Sequence, residues 1–264
     1  IVSSGVFSLV CNCNGNVRSQ INGSKSSPLS SFIKIYDGKK NDVLISIGAP
    51  EKVRLKGGVL NMDYGRISGG PVLSARIADK GRHISYTVNL KNPGKTQMWL
   101  RLTGNLPLAF SDNTVNYWDG AMLVRNASGS LSNNSLPGTF PAAAVYNDSY
   151  GQAVGIAAGQ VFSYIENSLS YENIRNLSFG VKLVLDPGEN RSVEFITYGF
   201  VPEYGFANTI GTYYNIYPES FRSRSDIDPR IIETTDPLSV RDDERSHCAG
   251  YYEGYRRAFS GMTW

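Results

Sequence analysis

Residues 72–90 read VLSARIADKGRHISYTVNL, and the fold turns on them. Val72–Ile77 and His83–Leu90 flank Asp79-Lys80-Gly81, the residue types of a tight hairpin turn. In the second arm Ile84, Tyr86, Val88 and Leu90 alternate with His83, Ser85, Thr87 and Asn89. A period of two is that of a strand with one face in a core and one in water. His83 falls on the polar face, which makes it a solvent-side residue rather than a ligand or base.

The same texture extends in both directions. Upstream, Val6–Val10, Phe32–Tyr36, Val43–Ile47, Val53–Leu55 and Val59–Met62 read as short strands, punctuated by Asp37-Gly38, Ala49-Pro50 and Gly57-Gly58. Downstream come Met98–Leu102, Ala121–Arg125, Ala142–Tyr146, Ala153–Ala157, Phe162–Ile165, Leu177–Leu185 and Val193–Tyr198. Between them NASGSLSNNSLPG, residues 126–138, reads as a long loop. Well over ten strands in about two hundred residues exceed what a seven-strand immunoglobulin-like unit holds. The expectation is a mainly β chain, two large antiparallel sheets packed face to face.

The strand text stops near residue 203. Gly205–Arg224, GFANTIGTYYNIYPESFRSR, spaces Phe206, Ile210, Tyr213, Tyr214 and Tyr217 at three- and four-residue steps. That spacing predicts an amphipathic helix with an aromatic docking face. The division expected is a sandwich over 1–203, a junction helix over 204–225, and a short, mostly irregular C-terminal segment over 226–264. A barrel domain or a neighbouring subunit is expected to cover the aromatic face.

Composition bounds the function. The chain has 264 residues, 41% hydrophobic and 19% charged, with a net charge of +3. Lys and Arg are scattered rather than arranged in the basic stripe that phosphate contacts require, so no nucleic acid partner is expected. No apolar run approaches the ~18 residues of a membrane span. Ile1-Val2-Ser3 fits a mature start after a removed signal peptide, and the chain reads as secreted. Six Asn-x-Ser triplets, at Asn22, Asn126, Asn133, Asn147, Asn176 and Asn190, are candidate glycan acceptors.

Three cysteines cannot all pair within one chain. Cys11 and Cys13 are too close for a relaxed bridge, so either one bonds Cys248 or all three are reduced. One Cys-x-Cys with distant His83 and His247 lacks the ligand set of a zinc site, and neither metal nor cofactor is expected. The chain carries no nucleophile elbow, phosphate loop, zinc-protease motif or dinucleotide fingerprint, and no catalytic residue is assigned. Tyr117, Trp118 and Asp119, in Asn116-Tyr117-Trp118-Asp119-Gly120, are the candidates for carbohydrate contact, an indole for stacking beside a carboxylate for hydroxyls. Against this stands a plain packing role, with Trp118 in the core and Asp119-Gly120 as a turn.

Tyr117–Gly120, the strands of Pro141–Ala157, the Tyr198–Phe200 strand and the helix pattern Tyr204–Phe221 occur in an order that resembles one known arrangement. It is the N-terminal β-supersandwich, of galactose-mutarotase-like type, of secreted proteins related to glycoside hydrolases. In those proteins the helix leads into a (β/α)-barrel that carries the catalytic carboxylates. The resemblance implies a non-catalytic module of a carbohydrate-active protein, with carbohydrate or a catalytic barrel as partner. Ala258–Trp264 looks like the approach to a first barrel strand, and no barrel follows in this sequence, so no catalytic residue carries over. The alternative is a self-associating extracellular structural glycoprotein, its Asp226–Trp264 segment packing on a second copy through Tyr251, Tyr252, Tyr255, Phe259 and Trp264.

Overall fold

The computed structural model describes residues 2–4, 7–12, 16–21, 24–29, 31–39, 43–135, 140–160, 162, 164–172 and 174–221, with backbone only at 2–4 and 133–135. All but the last of them belong to one compact unit, Ile1–Ser220. The aromatic C-terminal segment of Asp226–Trp264 lies outside the described residues.

The chain begins with a small sheet, Val2–Ser4 (β1), Phe7–Cys11 (β2), Val17–Ile21 (β3) and Ser24–Lys25 (β4), ordered as in sequence. Ile33–Asp37 (β5) and Val43–Ile45 (β6) then enter a six-stranded sheet. Lys52–Lys56 (β7), Val59–Arg66 (β8), Val72–Asp79 (β9) and Ile84–Lys91 (β10) start a nine-stranded one. Met98–Pro107 (β11) returns to the six-stranded sheet, and Val115–Trp118 (β12) and Leu123–Ala127 (β13) to the nine-stranded sheet. Gly129–Ser135 (β14) joins the former, Ala142–Tyr146 (β15) and Gly151–Ile156 (β16) the latter. Ile165–Tyr171 (β17) and Asn176–Leu185 (β18) complete the six-stranded sheet, and Asn190–Phe200 (β19) the nine-stranded one. The large sheets run β13-β12-β15-β16-β19-β10-β9-β8-β7 and β14-β17-β18-β11-β5-β6, and every pairing is antiparallel.

The hairpin that opened the reading is present. β9 and β10 pair from Ile84↔Asp79 to Lys91↔Val72. Ile84, Tyr86, Val88 and Leu90 enter the inter-sheet core with Leu73, Ala75 and Ile77. The six-stranded sheet answers with Leu100, Leu102 and Leu106 of β11 and Leu177, Phe179, Val181, Leu183 and Leu185 of β18. Phe7, Leu9 and Val17 of the small sheet belong to the same core.

One expectation fails because polar text can be strand text at a sheet edge. Residues 126–138 are not simply a loop: β14 pairs with β17 over seven residues at the end of the six-stranded sheet. An edge strand needs no apolar outer face, so Ser and Asn satisfy it. Of the strand expected over Phe162–Ile165, Phe162 and Tyr164 lie outside any strand and Ile165 opens β17.

On the nine-stranded sheet, β15 and β16 are buried on both faces along their whole length. Val145, Val154 and Ile156 face the other sheet. Ala142, Ala144 and Ala153 face outward, with Trp118, Ile196, Tyr198 and Phe200, into a second apolar layer. Glycines set the closeness of this packing. A Cβ at Gly155 would lie 2.3 Å from the Pro141 carbonyl oxygen and 2.7 Å from Ala142 Cβ, neither of which can swing aside. Gly155→Ala should therefore cost about 3 kcal/mol of stability by urea unfolding. Gly48→Ala, with open space around it, should leave stability unchanged or raise it by up to about 1 kcal/mol.

Candidate functional site

The junction decides which surfaces of the nine-stranded sheet are open. The helix runs over Ala207–Ile216 (α1) and gives way to a single 3-10 turn, Pro218–Phe221, so it is shorter than the expected Gly205–Arg224. Proline disfavours helical backbone in the residue before it, and Tyr217 accordingly leaves the helix at φ −123°. Arg82, from the β9–β10 turn, donates from Nη1 to the Asn215 carbonyl at 2.5 Å. A guanidinium there meets the negative end of the helix.

The docking face packs on the chain's own nine-stranded sheet, which buries Tyr213 and leaves Phe206, Ile210 and Tyr217 half-buried. Tyr213 is fully buried and donates its hydroxyl to the Ile156 carbonyl at 2.8 Å. Phe206 stacks on Trp118 at 5.4 Å between ring centroids, and Ile210 and Tyr217 pack on the same layer. Tyr214 alone of the five is exposed, its ring 6.2 Å from Phe140. The alanine-rich outer face of β15 and β16 is what draws the helix in.

The same packing reassigns Tyr117, Trp118 and Asp119. Alternation along β12 sends Tyr117 into the inter-sheet core, where its hydroxyl donates to Asn167 Oδ1. It sends Trp118 outward beneath α1, 3% exposed, between Phe206 and Phe140. The indole presents no ring face to a sugar. Asp119 Oδ1 accepts from the Ala121 and Met122 amides at 2.9 and 2.6 Å, closing a turn with Gly120 at φ 93°.

His83 is corrected too. It is buried, not solvent-side, 5.8 Å from the Tyr217 ring, because the end of the helix region covers that part of the outer face. Its Nδ1 has no hydrogen-bond partner in the structure.

The glycan candidates divide by exposure. Asn126 and Asn190 are exposed. Asn147 is half-buried, its Oδ1 accepting from the Ser149 and Tyr150 amides at 2.9 and 3.0 Å. Asn176 is buried on β18 with Nδ2 bonded to Ser178 Oγ at 2.7 Å, which leaves no room for a glycan. Asn22 and the Asn133 side chain lie outside the described residues. Cys11 is a free thiol, half-buried, and burial pushes its pKa up to about 11. Cys13 and Cys248 lie outside the described residues, as does His247.

The surface with ligand-binding chemistry is one the sequence reading did not assemble, the outer face of the six-stranded sheet. Register places Tyr36, Arg101 and Lys182 in one row across β5, β11 and β18. The next row is Lys34, Thr103, Gly180 and Glu166, and the following one carries Asn105, Ser178 and Ser168. Arg101 lies 3.9 Å over the Tyr36 ring and forms a 3.1 Å ion pair with Glu166. Lys182 Nζ sits 4.3 Å over the Tyr164 ring.

These side chains enclose a hollow of about 410 Å³. A Cβ at Gly180 would stand 2.7 Å from both Glu166 Oε1 and Thr103 Cγ2, so a side chain there would push Glu166 or Thr103 aside. Asn105 Oδ1 accepts from Ser178 Oγ at 2.8 Å. Asn176, 8% exposed, lines the hollow, and its Oδ1, itself closed to solvent, has no hydrogen-bond partner in the structure. A buried acceptor left unpaired costs about 1–3 kcal/mol. A second hollow of about 470 Å³ adjoins the first, lined by Lys182, Arg191, Phe162, Tyr164 and Trp99, the indole 48% exposed. Among the described residues no three His, Cys, Asp or Glu side chains are grouped to hold a metal ion.

The signal for this face was in the sequence. In Leu100-Arg101-Leu102-Thr103-Gly104-Asn105-Leu106 the period of two runs past the Leu102 boundary expected for that strand, and its polar half is the groove.

No protein-family model matches the chain, and no curated protein matches it. Among solved structures, a GH36 α-galactosidase, AgaA, from Geobacillus stearothermophilus is 14% identical over 71% of this chain and 32% of its own, with a TM-score of 0.45. An α-galactosidase from Lactobacillus brevis is 11% identical, covering 83% of this chain and 43% of that one, at 0.49. A TPR-domain-containing protein from Parabacteroides distasonis is 12% identical, covering 73% and 45%, at 0.46. The chain thus spans less than half the length of each of these proteins.

Burial holds the His83 imidazole below its ordinary value, a shift that Glu194 and Asp79 oppose and Lys80 reinforces. The unfolded chain takes up that proton near pH 6.5, the folded chain only at lower pH. Between the two the unfolded state binds more protons, so stability is complete above about pH 6.5 and falls as the pH drops through the window. Urea titrations between pH 7.5 and 5 should show a larger loss for the wild type than for His83→Phe; equal losses would contradict this.

Proposed function

We propose that the chain is a non-catalytic β-supersandwich module of a secreted carbohydrate-active protein, binding glycan along the outer face of its six-stranded sheet and working beside a catalytic barrel. The observation that carries the reading is the groove: a polar hollow lined by Asn105, Ser168, Asn176 and Ser178, and beside it a second hollow that carries the exposed Trp99. Polyhydroxylated ligands need this combination, amide and hydroxyl groups at fixed positions plus an aromatic face for the apolar side of a ring. The half of the reading that concerns a barrel rests on the sequence pattern Tyr204–Phe221. The secreted setting is supported by the exposed triplets at Asn126 and Asn190.

The chemistry of the face supports binding rather than turnover. Among the described residues the hollows' lining holds one carboxylate, Glu166, paired with Arg101 at 3.1 Å, whereas glycoside hydrolysis ordinarily uses two carboxyl groups about 5–10 Å apart. The purified chain should be retarded in affinity electrophoresis by at least one soluble polysaccharide and should release no sugar from aryl glycosides. Trp99→Ala removes an exposed side chain, so it should fold normally and weaken binding at least about tenfold by calorimetry. Absence of binding to any saccharide on a broad array of neutral and charged glycans would overturn the reading.

A further inference from the structure

We infer that the glycan this face takes is anionic, carrying uronate carboxylates or sulfate esters; the inference rests on the glycan reading above. The two hollows are lined by Lys34, Arg101, Lys182 and Arg191 against the single acid Glu166. The chain as a whole has 26 basic and 23 acidic residues, so the lining of the hollows is basic on a nearly balanced protein, with Asp186 beyond the Trp99 row bonded to Gln97 at 2.8 Å. Glu166 and Arg101 neutralise each other at 3.1 Å. The charge left over is that of Lys34, Lys182 and Arg191.

A neutral sugar lying in the groove would strip water from those cations without returning a counter-charge, and that desolvation opposes binding. A ligand with a carboxylate or sulfate returns it. The cations are also set on rigid elements. Lys182 on β18 is cross-strand from Arg101 and held over the Tyr164 ring. Arg191 on β19 donates from Nη1 to the Val184 carbonyl at 3.5 Å, beside the Trp99 row.

A bare inorganic anion does not satisfy the site. Asn105, Ser168, Ser170 and Ser178 line the hollow with amide and hydroxyl groups, which pair with sugar hydroxyls both as donors and as acceptors. Trp99 offers a ring face beside the cations, where the apolar side of a pyranose would lie. Anion, hydroxyl and ring face belong together on one acidic saccharide.

The test is a titration of the whole chain, at 50 and 500 mM NaCl, with oligogalacturonate, a sulfated galactan oligomer, and neutral galacto- and gluco-oligosaccharides of equal length. Polyphosphate and single-stranded DNA serve as polyanions without the sugar pattern. The charged oligosaccharides should bind at least about tenfold tighter than the neutral ones at low salt, with the advantage shrinking at high salt. Whether the carboxylated or the sulfated arm is tighter identifies the source of the charge. Lys182→Gln and Arg191→Gln, both at exposed positions, should each weaken the charged arm about fivefold and narrow its advantage over the neutral arm.

Neutral oligosaccharides binding as tightly as charged ones would overturn the inference while the glycan reading stands. No saccharide binding at all would overturn both. Polyphosphate or DNA binding as tightly as the charged glycan, with Lys52→Gln on the distant β7 edge weakening it equally, would show generic polyanion attraction and overturn the inference.

Discussion

The ten-residue antiparallel ladder between β11 and β18, Met98↔Leu185 to Pro107↔Asn176, is the constraint on which the rest depends. Its inward side supplies Leu100, Leu102, Leu106, Leu177, Phe179, Val181, Leu183 and Leu185 to the core. Its outward side supplies most of the groove. Because side chains alternate, a slip of one residue would exchange the two sets. Each large apolar side chain left in water would forgo about 1.5–3 kcal/mol, so the register is held by many such terms at once. Gly104 tightens it further: a Cβ there would meet Phe195 at 2.9 Å and Phe32 at 3.1 Å, so the core closes over the glycine. The groove has no independent means of staying in shape, and the core fixes it.

The two large sheets treat their outer faces differently, and the difference follows from side-chain size and polarity. Where β15 and β16 present alanine and glycine, a helix can approach closely, burying Tyr213 and packing the half-buried Phe206 and Ile210 on the same layer. A ten-residue helix is marginal by itself in water, so α1 owes its order to that contact. The Arg82 bond to the Asn215 carbonyl and the Tyr213 bond to Ile156 then fix its end and its rotation. Where the six-stranded sheet presents Ser, Asn, Thr, Arg and Lys, an apolar helix would gain nothing. That face keeps its polar groups for whatever can hydrogen-bond them.

Strand text was legible wherever one face was apolar. Val72–Ile77, His83–Leu90, Ala142–Tyr146 and Leu177–Leu185 all mark strands of the structure, because burying one face forces the alternation. Gly129–Ser135 was not, since its polar outer side and edge position remove the contrast that periodicity needs. The aromatic residues of the helix were legible as a buried face, but not what buries them. Ala142 and Ala144 look like core residues under any pattern, and only the sheet order shows that they face away from the other sheet. His83 was misread for the same reason. A period of two says which side of a strand a residue is on, not whether something else covers that side.

Trp118 and Trp99 show how that limit bears on function. In sequence, Trp118 beside Asp119 has the stronger claim to a sugar, an indole next to a carboxylate. In the fold its rings are spent on Phe206 and Phe140, while Trp99, flanked in sequence by Met98 and Leu100, faces outward beside Lys182 and Val184. The two indoles lie on outer faces of different sheets, with the inter-sheet core between them. A glycan resting on the Trp99 side therefore does not compete with whatever engages the exposed edge of α1 at Tyr214. Binding on one face and support on the other require no rearrangement of the sandwich.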